Sequence, residues 1–207
     1  MSTTVRLFAT AAVLTAAVAC GQAPTATGDL DAALLRQEDV PARYSAVAPE
    51  AADRPVMSSR PECAATFDRV EVDPPADPAV REARTLFGSP DGERIQHIVR
   101  SYPNGAATTE FAAVTGTLAT CSRFELTYAD GTAIVVEVQP LPAPEAADEA
   151  WTAHISLDAG AFTLGEQLVL VRAGERIATL SILGIDEVDP DEVSALTTRA
   201  AERLVGA

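Results

Sequence analysis

Trp151-Thr152-Ala153-His154-Ile155-Ser156-Leu157-Asp158 alternates without a break. Trp151, Ala153, Ile155 and Leu157 fall on one side, and Thr152, His154, Ser156 and Asp158 on the other. Successive side chains of a strand point to opposite faces, so this octapeptide reads as a strand with one apolar and one wet face, as in an antiparallel sheet. Downstream, residues 166–172 and 176–183 flank Ala173-Gly174-Glu175 and pair as a hairpin. Upstream, residues 123–128 and 132–139 flank Ala129-Asp130-Gly131, a second hairpin signal, and residues 141–147 form a Pro-Ala loop. Two earlier strands, 82–87 and 93–102, are joined through Ser89-Pro90-Asp91-Gly92.

Helical spacing appears between and after these strands. Ala107, Phe111, Val114, Leu118 and Cys121 recur at intervals of four, three, four and three, one apolar stripe of a helix over 105–121 with Asn104 as its N-cap. Asp189 caps a closing helix, with Pro190 at its first position and Val193, Leu196, Ala200 and Leu204 as its inner stripe. Leu30, Ala33 and Leu34 suggest a short helix over 30–38, limited by Pro41. Residues 43–47 read as a short strand, 48–61 and 73–80 as loops, and Ala64, Ala65 and Phe67 as one or two helical turns. This order predicts one α+β domain over residues 30–207, an antiparallel β-sheet with helices packed on one face.

The amino terminus carries a different message. Arg6 precedes an apolar run over residues 7–19, and Ala17-Val18-Ala19 stand directly before Cys20. A charged start, a short apolar core and small residues before a cut make a secretory signal, and about 20 apolar residues are needed to span a bilayer. A cysteine at the cut resembles a bacterial lipoprotein signal, in which the thiol takes a diacylglycerol. Cys20 is then the lipidation site, residues 1–19 are removed, and residues 20–29 are the acylated cysteine and its flexible tether. The alternative is an ordinary secretory signal that contains a cysteine. The lipoprotein reading places the protein on the extracytoplasmic face of the cell membrane, held by its acyl chains.

Cleavage takes away Arg6 and no acidic residue, which moves the formal charge from −15 to −16. So acidic a body is unsuited to phosphate backbones, and nucleic acid is excluded as a partner. All the basic residues are arginines, so no lysine is present to form a Schiff base. Cys63 and Cys121 remain, an even pair for an oxidising compartment; they read as a disulfide, with a free thiol beside a histidine base as the alternative.

Catalytic signatures are missing: the chain has no Gly-x-Ser-x-Gly, no His-Glu-x-x-His, no Gly-x-Gly-x-x-Gly and no phosphate loop. His97, between Ile95 and Val99, reads as a core or edge histidine with one hydrogen bond, and His154 as a solvated sheet position; a metal or general-base role is the competing reading for each. The acidic stretch from Asp186 to Glu192 lacks calcium-loop spacing and reads as a helix N-terminus favoured by the dipole; Glu71, Asp73 and Asp77 read as loop acids. Trp151 suits either a core or a groove lining, and Arg100 and Tyr102 at the end of a strand are equally open. No cofactor, metal site or catalytic residue is assigned.

Taken together, Cys63, the helix ending at Cys121, the strand series, Leu168-Val169-Leu170-Val171-Arg172-Ala173-Gly174 and the Asp-capped last helix resemble the PknH-like extracellular sensor domain of actinobacterial receptor kinases and lipoproteins, over about residues 30–205. The resemblance implies a central antiparallel sheet, packed helices, a ligand groove and a Cys63–Cys121 bridge. The second disulfide often found in that family has no counterpart in Leu180-Ser181-Ile182-Leu183-Gly184, and no ligand-site residue is carried over. The leading expectation is a membrane-anchored lipoprotein with a sensor-like domain binding a small or amphiphilic ligand. A non-catalytic scaffold contacting a cell-envelope protein is the alternative. An enzyme acting through two carboxylates about 5–10 Å apart is the third reading.

Overall fold

The computed structural model describes residues 30–49, 54–143, 147–185 and 188–207. The signal (1–19), Cys20, the tether through residue 29, and Asp186 and Glu187 lie outside the described residues. A 3-10 turn (Leu30–Ala33) and a second (Gln37–Asp39) lead into β1 (Ser45–Ala46) and β2 (Met57–Ser58). Helix α1 (Pro61–Phe67) continues into a five-residue π turn (Asp68–Val72). There follow β3 (Arg81–Gly88), β4 (Arg94–Ser101), α2 (Ala106–Leu118), β5 (Arg123–Thr127), β6 (Ala133–Leu141), β7 (Glu149–Asp158), β8 (Thr163–Ala173), β9 (Arg176–Ile185) and α3 (Pro190–Gly206).

The nine strands form one antiparallel sheet in the order β1-β3-β4-β9-β8-β7-β6-β5-β2. After the β3–β4 hairpin, α2 carries the chain to the far side of the sheet. Strands β5 to β9 then return as a meander until β9 pairs with β4, Ile95 opposite Ile182 and Val99 opposite Ala178. The two edge strands are two residues each, a length that gives little backbone for unwanted pairing.

The α+β class, the antiparallel sheet and the disulfide stand as the sequence predicts. The helices, expected on one face, cover both. On one face Leu196, Ala200 and Leu204 of α3 pack with Leu30 and Leu35 against Val169, Val171, Leu180 and Ile182. On the other, Phe111, Val114 and Leu118 of α2, with Cys63 and Val70, pack against Val136, Ile155, Leu168 and Leu170. Strands β8 and β9 are apolar on both sides, so each face needs its own cover, and a strand buried on two faces loses the alternation that marks one wet side.

Local differences have local causes. The 30–38 helix is two 3-10 turns, because Leu34 and Leu35 break away to fill the core and the Leu35 amide donates to His97 Nδ1 at 3.0 Å. Asn104 is not the cap of α2. It takes a left-handed φ of 56°, Gly105 follows at 77°, and the Gly105 N–H donates to both Glu175 carboxylate oxygens at 2.9 and 3.0 Å. A distant carboxylate therefore serves the positive end of α2. Asp189 does cap α3, accepting from the Asp191 N–H at 2.9 Å. Cys63 and Cys121 are bonded, with Cα atoms 5.8 Å apart, and fasten α1 to the end of α2.

Candidate functional site

Helix α3 lies over β8 and β9 and stops short of β6 and β7. Its buried stripe holds it to the apolar strands, the Tyr44 hydroxyl donates to Glu192 at 3.0 Å, and Arg203 pairs with Asp39 at 2.7 Å. The neighbouring strands present a polar face to the same side. Gln139, His154 and Gln167 stand in one cross-strand row, and Leu141, Thr152 and Val169 in the next. Beyond its buried stripe α3 turns Ser194, Thr197 and Thr198 toward these strands, and the space between them stays open. It forms a groove of about 810 Å³, within the usual size for small-molecule sites of about 300–1,000 Å³.

Both walls of the groove mix apolar and polar groups. Val193 stands with Ser194, Thr197 and Thr198 on α3, and Leu141 and Val169 stand with Gln139, His154 and Gln167 on the strands. Gln167 Nε2 already donates to Thr152 Oγ1 at 2.9 Å, which leaves the Gln139 amide and the His154 ring to meet a guest. Gly165 and Gly184 face each other in the β8–β9 register, so the floor lies low near Ser156 and Pro190. Just beyond this end, Phe162 and Ile185 are more than half exposed. The groove can thus meet both apolar and polar parts of a guest.

A second, smaller cavity of about 170 Å³ lies on the opposite face, under α1 and the π turn. Phe67 and Phe124, stacked with ring centroids 5.8 Å apart, stand on its wall with Tyr128, Ile155 and Leu157. Glu71 from the π turn and Glu166 from β8 both line it; Glu166 is 5% exposed, and the Ser181 hydroxyl donates to its Oε1 at 2.5 Å. Burial first, then the charge of Glu166, pushes the Glu71 carboxyl well above the usual carboxylate range.

The residues singled out from the sequence are scattered. His97 is sealed in the core, its Nδ1 accepting from Leu35 and its Nε2 without a protein partner. His154 is a groove residue, on the wet face that its alternation predicts. Trp151 packs against the α2 side of the core. Arg100 is buried and structural: it pairs with Glu82 at 2.7 Å and donates to the Arg69 and Asp73 carbonyls. Tyr102 leans on the α2 side of the core, Asp73 pairs with Arg54 at 2.7 Å, and Asp77 accepts from the Ala79 N–H at 2.8 Å. Among the described residues no group of three or more His, Cys, Asp or Glu is placed to hold a metal ion. The sequence reading misses Gln139, Gln167 and the placing of Glu71 and Glu166 on one cavity. For Glu166 a signal existed: it shares a strand face with Leu168 and Leu170, so a charge there points at the core.

These features define an antiparallel α+β domain with one bridging disulfide and a groove of mixed lining beneath α3. No protein-family model matches the chain, and no curated protein sequence matches it. Among solved structures it is similar to the extracellular domain of PknH from Mycobacterium tuberculosis, at 13% identity and a TM-score of 0.66, over 86% of this chain and 95% of that one. A Mycobacterium smegmatis protein described as an Rv0999 ortholog also matches, at 13% identity and a TM-score of 0.44, over 78% of this chain and 85% of that one. The chain has the PknH-like sensor-domain fold.

Proposed function

We propose that this chain is a membrane-anchored extracytoplasmic lipoprotein whose domain holds a small amphiphilic molecule in the groove beneath α3. The size of that groove and its mixed lining, with Val169, Val188 and Val193 beside Gln139, His154 and Gln167, carry the reading. The fold, shared with a domain described as extracellular, supports its location, as does the signal ending at Cys20. No reaction is assigned to the groove: the cross-strand neighbours of His154 are amides, which bind and do not titrate. Native mass spectrometry with a single-chain phospholipid and a cell-envelope lipid extract tests the site. A discrete bound mass is expected, weakened at least tenfold in Thr198→Trp, which fills the groove from an exposed wall position. A bare protein mass in both mixtures would overturn it. Anchoring is tested separately: Cys20→Ala should release the protein from membranes into the medium.

One observation favours a second reading, an envelope protein as partner. Val56 and Met57, 62% and 67% exposed, flank and form the edge strand β2. Adjacent exposed apolar side chains fit contact with an apolar surface of another chain. Photocrosslinking from position 57 in intact cells would trap that partner, and recovery of uncrosslinked protein alone would count against it.

A further inference from the structure

The groove beneath α3 differs from other hollows of this surface in its charge. Charged residues make up 22% of the chain, yet among the described residues none lines the groove. Three other hollows all carry them: Arg43 and Glu93 beside β1, Glu71 and Glu166 under the π turn, Arg69 and Glu110 beside α2. Charged groups at the margins of the groove are engaged elsewhere. Glu137, opposite Ser156 in the β6–β7 register, pairs with Arg123. Asp158, at the end of β7, accepts from the Gly160 N–H at 2.7 Å. On α3, Glu192 is held by Arg43 and Tyr44 at 2.6 and 3.0 Å, and Arg199 pairs with Glu202 at 2.8 Å.

The polar lining is instead made of neutral groups. Ser156 and Thr163 on the strands and Ser194, Thr197 and Thr198 on α3 supply hydroxyls, and Gln139 supplies an amide. Thr197 is 4% exposed, and its hydroxyl has no hydrogen-bond partner among the described residues. A buried hydroxyl is costly to leave without a partner, so one on the groove wall is set to bond whatever fills the groove. Hydroxyls and amides both donate and accept. An ionised carboxylate or phosphodiester only accepts, a primary ammonium only donates, and each must leave its hydration shell with no opposite charge to replace it. A guest hydroxyl donates and accepts as the wall does, and it brings no charge to desolvate.

We propose that the groove selects an amphiphile with an uncharged, hydroxyl-bearing head, a sugar or another polyol joined to an apolar chain, over one with an ionic head. This selection rests on the amphiphile reading of the groove and adds the class of head to it. Val169, Val188 and Val193 serve the chain, and the hydroxyl and amide groups serve the head.

Calorimetric titration of the full chain tests this with four amphiphiles of one chain length, each below its micelle concentration: dodecyl maltoside, dodecanoate, dodecyl phosphocholine and dodecyl trimethylammonium. His154 is the one lining side chain able to take up a charge, so affinities are compared at about pH 8, the basic end of the range in which imidazoles change charge. Binding is counted only where Thr198→Trp removes it. Dodecyl maltoside should bind at least tenfold more tightly than each ionic homologue, about 1.4 kcal/mol. Thr197→Val, which removes the hydroxyl, should narrow that gap. Ser194→Arg, which sets a cation on the wall, should shift the preference toward dodecanoate at least tenfold; Ser194 is exposed, so this variant decides even if Thr197→Val folds poorly. An ionic head bound as tightly as the maltoside, or an unchanged preference in Ser194→Arg, overturns the selection and leaves the amphiphile groove standing. No binding by any of the four overturns both.

Discussion

Replacing Cys63 and Cys121 together by alanine should destabilise the domain by about 4 kcal/mol. The bridge joins residues 58 apart, and closing a loop of that length removes about 4 kcal/mol of denatured-chain entropy. Both half-cystines are fully buried, between α1 and the α2 stripe of Phe111, Val114 and Leu118, so the missing sulfurs also leave unfilled space there. Against a usual domain stability of about 5–15 kcal/mol this is a large fraction. Urea unfolding followed by circular dichroism measures it. With a slope of about 2 kcal/mol per molar, the midpoint should drop by about 2 M. Reduction of the wild-type protein should bring the two curves together. A drop below about 0.5 M would refute the loop-closure reasoning, since it would mean that the denatured chain gains almost no freedom when the bridge is gone.

Other consequences are open to the same methods. Burial lowers the His97 pKa to about 4 from an ordinary 6.5. Below about pH 6.5 the unfolded chain binds the extra proton, so stability contributed by the neutral ring falls as pH drops toward 4, by about 1.4 kcal/mol per unit. His97→Gln keeps an acceptor for the Leu35 N–H and should flatten that slope in urea titrations; an identical slope would show that another group titrates there. Leu196→Ala should cost about 2–5 kcal/mol because Leu196 is 1% exposed at the centre of the α3 contact. Val193→Ala at the groove wall should cost much less, and equal losses would contradict the open groove. Glu175→Ala removes the acceptor for the Gly105 N–H and should lower stability by about 1 kcal/mol; no change in midpoint would show that water serves that helix end equally well.

Short-range geometry is legible in the chain without its fold. Alternation from Trp151 to Asp158 marks a strand and both of its faces, and His154 does lie on the wet one. The Asp189-Pro190 start of α3 is legible because capping is a contact within one turn. Each of these signals spans fewer than ten residues. The Asn104 cap fails for the complementary reason: the acceptor that serves α2 comes from Glu175, 70 positions away. Distance along the chain likewise hides both sites. Gln139, His154 and Gln167 become one row only through strand register, and the row becomes a groove only because α3 settles on the apolar strands beside it. Glu71 reads locally as a loop acid; nothing near it in sequence shows that the fold will set it on one cavity with Glu166. Side-chain alternation and helical stripes are fixed by backbone sterics at each residue, whereas which surfaces meet is fixed by the packing of the whole sheet, and the chemistry of this domain sits where those surfaces meet.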